Sequence, residues 1–146
     1  MQRNIIIKKI EQEKELSLQW VDRVRDIIEG KKINSDYLPI DITSFSFDYL
    51  FSARLDELTV KKLELKYKKI HNIYKKIFQN YFDITDYSYE SEFKYKCKNI
   101  TEEDKILAME DLIFLEAITK EFITYLNILE ENQRVLIKES CLDRAS

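Results

Sequence analysis

The chain has almost no chain-turning residues: one glycine and one proline in 146 positions. Hairpin-rich and Rossmann-like folds need that punctuation, so the shortage disfavours them and leaves helices as the natural use of runs rich in Lys, Glu, Leu and Ile. A glycine-rich phosphate loop is missing for the same reason, and with it a nucleotide cradle built from backbone amides. Histidine occurs once, as His71, and cysteine twice, as Cys97 and Cys141, too far apart to form a paired metal-ligand motif. Two isolated thiols suit a reducing compartment, and a cytoplasmic location is expected. There is little excess of charge of either sign: the formal net charge is -3, with basic and acidic residues interleaved. No broad cationic field exists to hold phosphate backbones, so nucleic acid is not the expected partner. No run of about 18 apolar residues is available for a membrane span, and the apolar start "NIIIKKI" is too short for a signal h-region. Neither secretion nor membrane embedding is expected.

What is present is helical periodicity, in a chain short enough for one domain, residues 1–146 with a core over about 5–136 and a tail at 137–146. Ile10, Ser17, Val21, Val24 and Ile28 fall on one stripe, widened by Trp20 and Ile27, and Gly30 is placed to stop the helix, which predicts a helix over about 5–29. Residues 30–43 hold the glycine, the proline and several turn-forming polar residues, as expected of a crossing connection. "SFSFDYLFS" then reads as a short aromatic helix plugged into the core, with Thr43 and Ser44 as possible caps. Leu63, Tyr67, Ile70, Tyr74, Ile77 and Tyr81 recur at intervals of four and three, which makes them a buried helix face flanked by His71. "YSYESEFKYKC", from Tyr87 to Cys97, alternates with the period of a half-buried strand, and since an isolated strand pair is marginal, an extended or irregular excursion on the surface of a helical body is equally expected. "TEED" announces the last helix, with Thr101 as its cap, Asp104 completing a capping box, and Leu112, Leu115, Thr119, Phe122, Leu126 and Leu129 facing inward. The expected architecture is all-α: an antiparallel four-helix bundle with a short additional helix and an extended insertion before the last helix.

Catalytic constellations are largely missing. A nucleophilic triad would have to recruit His71 with a remote Ser or Cys, and no local motif supports one. Lys66 stands where helical ribonucleases that pair Arg with His would want an arginine. The acidic runs "EQEKE" and "TEEDK" lack the Glu-x-x-His partners of di-metal bundles and read as solvated faces and a helix cap. Tyr67, Tyr74 and Tyr81 at core spacing read as core rather than as a pocket lining, Trp20 as a core anchor, and Ser17 as a small residue bonding back to the preceding turn. Tyr87, Tyr89, Phe93 and Tyr95 lie outside the helical stripes and form the expected partner surface.

Three stretches carry a family resemblance. "SLQW" places Ser17 three residues before Trp20 in an amphipathic first helix; "FSFDYL" sets Phe45, Phe47 and Leu50 in the pattern of a Cys-x-Phe-Gly-x-Trp signature; "YKKIH" sets Tyr67 and His71 in the pattern of His-x-x-x-His. In this order, and with the closing "FLEAITKEFITYLNILEE", they resemble the chemoreceptor zinc-binding domain, a small bacterial four-helix sensory module. The resemblance spans about residues 5–131, with an insertion at 83–100. It implies a four-ligand zinc site at Ser17, Phe45, Tyr67 and His71, of which only His71 keeps the ligand, supported by Trp20, Phe47, Leu50, Ile70 and Tyr74. Rings at two ligand positions would fill the vacated volume, each contributing roughly 1.5–3 kcal/mol by burial. The expectation is therefore a metal-free relic without cofactor or catalysis: a regulatory signalling module associated with chemotaxis or cyclic-di-GMP pathways, with a protein partner or a second copy of itself. The competing expectation is a small helical partner-binding or inhibitory protein from a mobile element.

Overall fold

The computed structural model describes residues 3–39, 47, 57–86 and 94–145. Three long helices form its body: α1 (Arg3–Ile28), α2 (Glu57–Tyr81) and α3 (Glu102–Ala145). Between α2 and α3 runs a two-stranded antiparallel ribbon, β1 (Phe82–Asp86) and β2 (Lys94–Cys97).

Each helix begins or ends where its sequence directs. Gly30 takes φ +75°, and the amides of Gly30 and Lys31 donate to the carbonyls of Ile27 (3.2 Å) and Asp26 (2.9 Å), a Schellman closure that satisfies the last carbonyls of α1. At the start of α3 the Asp104 amide donates to Thr101 Oγ1 (3.1 Å) and the Thr101 amide to Asp104 Oδ2 (3.2 Å), a reciprocal capping box. Glu102, Glu103 and Asp104 add negative charge at the positive end of the helix dipole.

The inward faces match the stripes closely. Ile10, Ser17, Trp20, Val21, Val24 and Ile27 of α1 are buried, joined by Ile6 and Ile7, while Ile28 is half-buried. All six residues of the α2 stripe are buried, with Val60, His71 and Phe78 widening it. In α3, Leu115, Thr119, Phe122, Leu126 and Leu129 are buried and Leu112 half-buried.

Ion pairs fix the directions. Arg25 meets Glu116 (2.8 Å), and Lys14, eleven residues earlier in α1, meets Glu130, so α3 runs antiparallel to α1. Lys76 meets Asp111 (3.1 Å) and Lys66 meets Glu121 (3.0 Å), so α3 is antiparallel to α2 as well. It follows that α1 and α2 are parallel, and the connection between them must return the length of a helix. Its described residues cover the first part of that return. Tyr37 lies at the far end of α1, its hydroxyl donating to Asp26 Oδ2 (2.5 Å) and its carbonyl accepting from the Tyr74 hydroxyl. Ten residues on, Phe47 is one turn or more lower, against Tyr67 and Phe122.

Several expectations are revised. The strand pattern starts at Phe82, directly after α2, rather than at Tyr87: Phe82 packs on Phe78 (5.2 Å between ring centroids) and pulls the chain into β1 at once. Phe82 pairs with Cys97 and Ile84 with Tyr95, with a register shift between Ile84 and Asp86. The last helix extends through Ala145 and so includes the segment read as a tail. Its 44 residues measure about 66 Å against about 39 Å for the 26 of α1. Arg3 bonds to Gln133 (2.9 Å), so the turns beyond have no α1 beside them, which is why Lys138 to Cys141 are exposed. The short helix expected over 44–52 lies outside the described residues apart from Phe47, which is buried and is assigned to no helix.

Candidate functional site

The residues singled out in sequence converge at mid-height between α1 and α2. Trp20 is the hub, with its ring centroid 5.6 Å from Tyr67, 5.3 Å from His71 and 5.4 Å from Tyr74, all in tilted contact. Tyr67 is also packed by Phe47 (5.6 Å, edge-on) and Phe122 (6.0 Å), and Phe47 touches Phe122 (6.1 Å). Aromatic pairs in such tilted and edge-on arrangements contribute about 0.5–1.5 kcal/mol each beyond their area burial. Because Tyr67, Ile70, His71 and Tyr74 lie within two turns of one helix, their side chains share the face that meets Trp20.

The electrostatics follow from burial. Burial pushes the phenols of Tyr67 and Tyr74 well above their ordinary range; for Tyr67 the negative charge of Glu13 adds to it, and for Tyr74 Arg23 opposes it. Ser17 is buried, and its hydroxyl donates to the Glu13 carbonyl (2.9 Å), the back-bond to the preceding turn expected of a serine inside a helix.

Glu13 itself was missed in sequence. Reading "EQEKE" as a solvated face fails at this residue: Oε2 is buried with no hydrogen-bond partner among the described residues, and burial pushes the carboxyl up to about 7. The signal was in the spacing, since Glu13 stands three residues after Ile10 and four before Ser17, on the inward stripe. Its neighbour in sequence, Lys14, turns to α3 and pairs with Glu130, whose carboxyl is held down to about 2 by the Lys14 hydrogen bond and, after it, by Arg134. Thr119 Oγ1 and the Tyr81 hydroxyl are likewise buried without a hydrogen-bond partner among the described residues.

The arrangement does not fit zinc. A closed site needs four Cys, His or carboxylate donors converging at about 2.0–2.3 Å. Of the implied positions, His71 has a suitable donor, Ser17 is committed to a carbonyl, Tyr67 is held in its neutral form amid rings, and phenylalanine at 45 has no donor. Among the described residues no three His, Cys, Asp or Glu side chains cluster to hold a metal ion. Of the remaining expected site residues, Phe47, Ile70 and Tyr74 are buried in this core, and Phe45 and Leu50 lie outside the described residues. So do Tyr87, Tyr89 and Phe93 of the expected partner surface, while Tyr95 is in β2 opposite Ile84. No helix among the described residues is long and apolar enough to cross a membrane.

No family model, curated protein or solved structure matches the chain.

Proposed function

We propose that this chain is a non-catalytic regulatory module, a divergent relative of the chemoreceptor zinc-binding domain in which packed rings have replaced the metal. One observation carries the reading: at the height where the resemblance sets four ligands, Trp20, Tyr67, His71, Phe47 and Phe122 interlock. A structural zinc contributes on the order of 10 kcal/mol to a small site. Losing it would strand buried polar ligands at about 1–3 kcal/mol each, and aromatic replacement answers both costs.

In this reading the connection after Tyr37 supplies a fourth leg that runs antiparallel to α1 and α2, completing an up-down-up-down bundle. The parallel course of α1 and α2 and the descent from Tyr37 to Phe47 support it. The module is cytoplasmic, works in chemotaxis or cyclic-di-GMP signalling, and passes on its state through helix packing.

Rebuilding the ligands tests the kinship. A variant carrying Ser17→His, Phe45→Cys and Tyr67→His beside the native His71 is expected to bind one zinc per chain tightly, with helicity by circular dichroism recovered on zinc addition. A rebuilt chain that is folded yet takes up no zinc would contradict the kinship. A second reading, a small helical inhibitor that binds an unrelated protein and derives from a mobile element, draws on one observation, the large apolar side chains exposed along α3.

A further inference from the structure

The third helix is apolar on two sides. Its inner face is buried, yet Ile106 is 55% exposed, Ile113 68%, Ile128 53% and Val135 45%. These are not scattered. Ile106, Ala117 and Ile128 are eleven residues apart, as are Ile113, Thr124 and Val135, and all six are on the outside. Eleven residues make almost three whole turns, so the six form one straight stripe of about 44 Å, opposite Leu115, Phe122 and Leu129.

The stripe is also symmetric about the peptide bond between Lys120 and Glu121. Ile106 lies as far before that bond as Val135 lies after it; the same holds for Ile113 with Ile128, and for Ala117 with Thr124. We propose that this face is a homodimer interface in which α3 packs antiparallel on α3 of a second copy, the two-fold axis passing between Lys120 and Glu121. A two-fold interface requires that if one residue meets another, the converse contact also forms, and this stripe meets that requirement with Ile106 against Val135, Ile113 against Ile128 and the small pair Ala117 and Thr124.

Area and charge favour a second copy over other occupants. Ile106, Ile113, Ile128 and Val135 are 45–68% exposed, and Met109 and Phe114 flank them at 50% and 57%. At about 100 Å² each these six offer roughly 600 Å² of apolar surface per chain, against the about 800 Å² that one partner buries in a standard interface, of which just over half is apolar. A contiguous apolar patch of that size is at the upper end for an isolated monomer. At the centre Lys120 of each copy meets Glu121 of the other, which in its own chain pairs with Lys66, and at the ends Glu103 meets Lys138. An anionic lipid surface fits poorly, since α3 carries eleven acidic residues and five basic ones. The register brings one unfavourable contact, Glu110 against Glu131 of the other copy, and that contact makes the orientation testable.

The inference rests on α3 alone and is independent of the metal reading. Sedimentation equilibrium of the full chain at micromolar concentration is expected to show a dimer. The double variant Ile113→Glu, Ile128→Glu is expected to be a monomer with unchanged circular dichroism, because both positions face outward. Glu131→Lys is expected to tighten the dimer several-fold, turning two repulsions into two attractions; in a parallel pair it would exchange glutamate against glutamate for lysine against lysine and leave the affinity about unchanged. A monomeric wild type, a dimer indifferent to the double variant, or a Glu131→Lys dimer that is unchanged or weaker would each overturn the proposal, the first handing the face to an unrelated protein.

Discussion

Glu13 stands on the buried stripe of α1 between Ile10 and Ser17, where every neighbouring inward position is apolar or small. Its carboxyl is pushed up to about 7, so between the ordinary carboxylate range and about pH 7 the unfolded chain ionises this group while the folded chain resists. Its effect on stability therefore has a definite sign: folding is favoured below about pH 5, and the advantage is lost as pH rises through 7. Allowing for partial solvation, the swing is of the order of 1–3 kcal/mol. Urea denaturation of Glu13→Gln at pH 5 and pH 7.5 is expected to show a smaller pH dependence than wild type and higher stability at the upper pH; identical slopes would refute the assignment. Sequence hid this residue because the charged neighbours of "EQEKE" dominate the reading, although its spacing marks it as inward. Trp20, by contrast, was legible from its place on the stripe. With rings of three α2 residues in tilted contact with it, Trp20→Ala is expected to cost about 3–5 kcal/mol in the same assay.

Helix ends are the best read of the elements, because caps are local chemistry. Gly30 closes α1 with a left-handed φ and no atom within 4 Å of where a Cβ would stand, so Gly30→Ala meets backbone strain alone. The loss expected is about 1–2 kcal/mol, measured by thermal or urea unfolding. Thr101→Ala removes one half of an exposed capping box and is expected to cost about 0.5–2 kcal/mol. A loss within error for either variant would show that the helix end is held by packing instead. The ribbon starts earlier than its clearest alternation for a tertiary reason: the alternation of "FDITD" is short and abuts the helix stripe, and what ends α2 there is Phe82 burying itself on Phe78, with the Lys98 amide bonding back to the Tyr81 carbonyl (2.9 Å). The outer stripe of α3 is hard to read in sequence because its apolar residues interleave with those of the inward face and recur only at an eleven-residue interval.

For the whole molecule, sequence supplied the number of long helices and their inward faces but not their directions. Those depend on pairs such as Arg25 with Glu116 and Lys76 with Asp111, far apart in the chain and invisible to periodicity. Once α1 and α2 are seen to be parallel, the long connection has to pass from one end of the helices to the other, and Phe47 becomes part of the core that His71 and Tyr67 share. His71 was conspicuous as the one imidazole; in the structure Trp20 covers its ring, and Tyr67, one turn earlier in α2, packs on the same indole. The central claim is that these rings stabilise the bundle in place of a metal. The direct measurement is the zinc content of the native chain purified without chelator, paired with its melting temperature in the presence of zinc and of chelator. The account predicts far less than one zinc per chain and one melting temperature under both conditions. Stoichiometric zinc, a melting temperature that falls with chelator, and the loss of both effects in His71→Ala would contradict it.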